Sequence, residues 1–179
     1  MQTTLNAQFT ADLHWLAFLL TGHRDQSIDL AVETVAEFHT VQPFFTAWME
    51  AWSRRLVIAK ALTGIREELA ASVRRTEFKR VHGPALPPRD WRISQGTTKS
   101  ELEAALLAID YFPRAALVLS VFEAVPAPDC AVILDASPDL VKKALTIGLL
   151  ELTRNLAGAQ GWASKTAHPF VLPTEIRYA

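Results

Sequence analysis

Along this chain the hydrophobic residues recur at three- and four-residue steps rather than in alternation, which predicts helices throughout and no sheet. A first helix covers about Thr10 to Leu20 and stops at Thr21-Gly22, where glycine suits a left-handed cap. A second begins near Asp25, a good N-cap, and carries Ile28, Val32, Val35 and Phe38 at helical spacing. Pro43 opens Phe44-Phe45-Thr46-Ala47-Trp48, which leads into a long helix ending near Arg80, with Gly64 marking a bend. Trp48 and Trp52 stand four apart on one face of it and read as core rather than as a platform for stacked bases. From His82 to Thr98 the helical period is lost and prolines gather, the mark of a linker, although Leu86, Trp91 and Ile93 could pack against a domain. Helices resume at about Lys99, capped by Ser100, and run to Ile109, then over Pro113 to Glu123, Pro128 to Leu134 and Pro138 to Ala157. The expected fold class is all-α. Two small helical domains, 1–80 and 99–160, are joined by a Pro-rich linker over 81–98, and an irregular tail follows over 161–179.

Composition narrows the function. The net charge is -1, so no overall field draws nucleic acid and any DNA contact must rest on local charge. One cysteine, Cys130, rules out an intrachain disulfide and reads as an ordinary packed thiol. The longest apolar run, Trp15 to Leu20, is far short of a membrane span, and no basic segment leads into an apolar one at the start, so a cytoplasmic protein is expected. There is no Gly-rich phosphate loop, no Gly-x-Ser-x-Gly and no zinc-type Cys/His pairing. No enzyme, cofactor, metal or small-molecule substrate is expected.

The stretch from Pro126 to Leu152 is the most informative. Ala131, Leu134, Val141 and Leu145 are spaced as contacts between two short helices separated by Asp135-Ala136-Ser137. Ser137 can cap the second helix, Pro138 fits its first position, and Asp135 tolerates a left-handed backbone. That is the layout of a helix-turn-helix, and equally of a plain helical hairpin.

Here the chain resembles the small extracytoplasmic-function sigma factors of bacterial RNA polymerase. Asp129, Ala131, Leu134, Ser137, Val141, Lys142 and Leu145 match that family's C-terminal helix-turn-helix in register, and Leu106 to Leu119 is similar to the helices that precede it. The segment Leu20 to Thr34, with Asp29, Leu30 and Glu33, resembles the family's polymerase-binding helix. Trp52 to Arg66 resembles the helix that reads the melted promoter element.

The resemblance implies docking on core polymerase through Asp29, Leu30 and Glu33. It also implies DNA contacts from Arg54, Arg55, Lys60 and Arg66 on one helix, Arg74 and Arg75 after it, and Lys142 and Lys143 in the recognition helix. Each set also has a plainer reading, as a solvated acidic face or as charged stems covering a core.

The departures weaken the DNA side. Val32 stands where the family usually has Gln, and Ala59 and Thr63 where it has Asn and Asp. Ala144, Ile147 and Leu149 fall where it places Arg. Lys142 and Lys143 are offset by Asp139 and Glu151. Phosphate neutralisation carries most of the affinity in such modules, so promoter DNA should bind weakly. The expected function is a sigma-like transcription initiation protein that binds core RNA polymerase and promoter DNA, with weakened DNA contacts. The alternative is a sigma-like module that binds an anti-sigma factor or another regulator without reading DNA.

Overall fold

A computed structural model describes residues 2–38, 46–79, 87 and 96–162. Every regular element among them is helical, as the periodicity predicts: α1 (Gln2–Thr21), α2 (Arg24–Phe38), α3 (Thr46–Gly64), α4 (Arg66–Phe78), α5 (Lys99–Leu107), α6 (Tyr111–Leu117), α7 (Ala127–Ile133) and α8 (Pro138–Ala159). Helix α6 runs on into a π-helical stretch, Val118–Phe122. No described helix is long and apolar enough to cross a membrane. The proline-rich interval apart from Pro87 and Gly96 to Thr98, with Leu86, Trp91 and Ile93, lies outside the described residues, as does the tail beyond Trp162.

Local signals set most boundaries. Gly22 ends α1 with φ 76°, the left-handed cap expected of it, although α1 itself starts at Gln2, well before Thr10. Asp25 sits inside the first turn of α2 rather than capping it. The bend expected at Gly64 is a break: α3 ends there, and α4 starts at Arg66 after the buried Ile65. Thr98, not Ser100, caps α5. Its hydroxyl accepts from Glu101 N–H, and the Glu101 carboxylate accepts in return from Thr98 N–H, which holds that carboxyl below its usual range. Asp110 caps α6. Between α7 and α8, Asp135 takes φ 48°, the Ser137 hydroxyl accepts from Leu140 N–H, and Pro138 opens α8, as expected for that turn.

The buried stripe of α2 is Ser27, Ala31 and Thr34, one position off the expected one; Ile28 and Val32 are 44% and 55% exposed. The side chain of Phe38 is not among those described. Small residues win because they admit close approach to α1, where the Ser27 and Thr21 hydroxyls lie 3.0 Å apart. Glycine serves the same end on α8, where a Cβ at Gly148 would stand 2.8 Å from the Pro113 carbonyl oxygen of α6.

The packing does not show two separate cores. Leu13, Leu16 and Leu20 of α1, Val57 and Ile58 of α3, and Phe112 to Leu119 around α6 join one hydrophobic cluster, which also reaches Leu134 and Val141. Helix α1 packs on α5 and α6, and α4 packs on α6 and α8. Arg114 pins this junction from inside. Its guanidinium, 3% exposed with the residue, donates to Leu20 O at 3.2 Å and Leu107 O at 3.1 Å and lies over the Tyr111 ring at 4.6 Å. The carbonyl ends of α1 and α5 supply negative potential to a cation that forms no ion pair with a described carboxylate.

Candidate partner and nucleic-acid surfaces

Helix α2 carries Asp29 and Glu33 exposed on its outer side, while Leu30 packs inward against the core. The unburied Ile28 and Val32 lie beside them, so this face is mixed acidic and apolar. The stripe of small residues at Ser27, Ala31 and Thr34 is the sequence signal that could have revealed it. Lys60 of α3 reaches across to Glu37 at 2.8 Å and Glu33 at 3.4 Å; its amine is raised above its ordinary value, first by the hydrogen bond to Glu37. Part of the expected docking strip and part of the expected DNA face therefore neutralise each other.

Other expected DNA contacts are paired in the same way. Arg54 forks onto Glu123, with Nε 2.7 Å from one carboxylate oxygen. Arg75 forks onto Asp110, at 2.8 and 2.6 Å. Burial alone would raise the Asp110 carboxyl, but donors from Arg75, Ser72 and Tyr111 N–H carry it below its ordinary value. Lys142 turns to Asp139 at 3.4 Å, and Lys143 donates to Glu77 O, near the C-terminus of α4, at 2.7 Å. Nearby, Lys79 pairs with Glu151; Arg80 lies outside the described residues. Arg55, Arg66 and Arg74 are exposed and form no ion pair with another described residue.

The positions on α8 where arginines are missing have a packing explanation. Ala144 is fully buried and Ile147 is 3% exposed, both turned toward the body of the protein; Leu149 alone, at 43%, faces out. An arginine at either buried position would have to displace one of the helices packed on α8, which are α4, α5, α6 and α7. Trp48 and Trp52, expected in the core, are instead 61% and 40% exposed and stack on each other with ring centroids 6.3 Å apart. Cys130 is buried, its sulfur 3.4 Å from Val125 O. Among the described residues no group of three or more His, Cys, Asp or Glu side chains is placed to hold a metal ion.

No model of a known protein family matches this chain, and no curated protein matches it. The geometry defines a helical protein whose expected DNA-facing cations are largely committed to internal partners and whose α2 face is exposed, with Glu33 shared with Lys60.

Proposed function

We propose that the chain is a sigma-like protein-binding module of transcription. It docks on core RNA polymerase or on an anti-sigma factor through the α2 face around Asp29 and Glu33, with Leu30 anchoring that helix to the core, acts in the cytoplasm, and does not read promoter DNA in this packed form. The internal pairing of Arg54, Lys60, Arg75, Lys142 and Lys143 is the observation that carries this reading. Cations already satisfied by carboxylates and carbonyls release few counterions from a duplex, so little affinity is left to gain. The α7–turn–α8 geometry agrees with a sigma-like helix-turn-helix, and the burial of Ala144 and Ile147 agrees with its use in packing rather than in readout. The reading of a working, promoter-directing sigma factor draws on one observation, the open Arg55, Arg66 and Arg74.

Reversing Asp29 alone to Lys, and then Asp29 with Glu33, tests the docking face. Helicity and unfolding midpoint should hardly move, because exposed charges contribute little to stability. Recovery of purified core polymerase or of an anti-sigma partner should fall to background. A folded double variant that recovers the same partner at wild-type yield would sink the assignment of α2.

A further inference from the structure

Between α3 and α7 the surface drops into an open groove of about 1200 Å3. Its two walls pack elsewhere, α3 on α1 and α2 and α7 on α8, so nothing described fills the space between them. The α3 wall is built from Ala51, Arg55, Ile58, Leu62 and, at the start of α4, Arg66. These recur at three- and four-residue steps, the stripe that one helix presents to another lying alongside. Along α3 the stripe from Ala51 to Leu62 is roughly 16 Å long at about 1.5 Å per residue, or three turns, and Arg66 stands just past the break at Ile65. Opposite it, Asp129, Val132 and Ile133 recur at the same steps on α7, and Val132 is 82% exposed. The walls differ in sign. Arg55 and Arg66 stand on one side and Asp129 and Asp135 on the other, all exposed and none ion-paired to another described residue. The third arginine of the α3 wall, Arg54, is held by Glu123.

We infer that this groove docks an amphipathic α-helix of at least about three turns from a partner protein, its apolar face bordered by acidic residues along one edge and basic residues along the other. The acidic edge runs beside Arg55 and Arg66, the basic edge beside Asp129 and Asp135. Turning such a helix end for end exchanges its edges, so the charges select both this composition and the one direction in which any given helix of that kind lies. A helix with one sign on both edges meets repulsion at one wall whichever way it lies. The surface is distinct from the α2 face and does not rest on the function proposed for it.

Three labelled helical peptides of about 16 residues test this, each with a Leu stripe bordered by Glu and Lys, by Lys on both edges, or by Glu on both edges. Titrated against the full chain by fluorescence anisotropy, the Glu/Lys peptide should bind at least about tenfold tighter than either of the others. Reversing Arg55 and Arg66 to Glu should move the preference to the Lys/Lys peptide. Val132→Asp with Ala59→Glu, both at exposed positions, should abolish binding while helicity is kept. Equal affinity for all three peptides, or no binding of any, overturns the inference. Self-association that disappears in Val132→Asp would make the occupant a second copy of this chain and overturn it too. Asp29→Lys should leave peptide affinity unchanged; a loss there would place the peptide on α2 instead.

Discussion

Arg114 ties the ends of α1 and α5 to α6 through one side chain. A buried guanidinium is costly unless its donors are used, and here both terminal nitrogens donate to carbonyls at the ends of two helices while Nε has no hydrogen-bond partner among the described residues. Arg114→Leu should therefore cost about 2–4 kcal/mol, because it leaves those carbonyls buried without donors. Arg114→Lys should recover little, since one ammonium cannot span the same acceptors; urea unfolding midpoints would show both effects. Asp110 gives a pH signature at the same scale. Its folded carboxyl lies below its ordinary value, so on acidification the unfolded chain takes up the proton first. The stabilisation is thus present at neutral pH and is lost as pH falls through the folded value. Between about pH 5 and pH 3, stability should fall more steeply in the wild type than in Asp110→Asn. Equal slopes would mean that the Arg75 fork contributes nothing.

Among the elements, α8 carries a built-in contrast between two glycines. Gly148 faces the α6 backbone, whereas nothing lies within 4 Å of where a Cβ at Gly158 would stand. Gly148→Ala should lower stability by about 1–3 kcal/mol by forcing the helices apart, while Gly158→Ala should raise it by about 0.5–1 kcal/mol through helix propensity alone. Thermal midpoints of opposite sign are the expected result. The same helices show what the sequence made legible. Local grammar was readable: the Gly22 stop, the left-handed Asp135, the Ser137 cap and the Pro138 start all depend on residues within a few positions of one another. The inward faces of α2 and of the Trp48–Trp52 turn were not readable. Hydrophobicity points Ile28, Val32 and both tryptophans inward, whereas tight approach to α1 selects Ser27, Ala31 and Thr34. Which demand wins depends on the neighbouring helix, and the period of a single segment does not contain that neighbour.

At the scale of the molecule, the charges that the family resemblance assigns to DNA find partners far away in sequence, such as Arg54 with Glu123 and Arg75 with Asp110. No motif links those positions, so the candidate DNA surface was legible in composition and not in availability. Of the eight expected DNA contacts, Arg55, Arg66 and Arg74 remain without an ion-pair partner among the described residues. Duplex affinity of the full chain should therefore fall with salt on a log–log slope no steeper than about -3. A slope steeper than about -5 would show that the internal pairs open when DNA arrives. The shared cluster that joins α1 to α6 has a consequence of another kind. A chain severed between residues 80 and 95 leaves α1 without α6 and α6 without α1, two halves that each lack part of one interior. Neither piece should hold its helices alone. Mixed in equal amounts, they should find each other and refold as a noncovalent pair, recovering the ellipticity of the intact chain, and a single base change that weakens Phe112 should abolish that reunion.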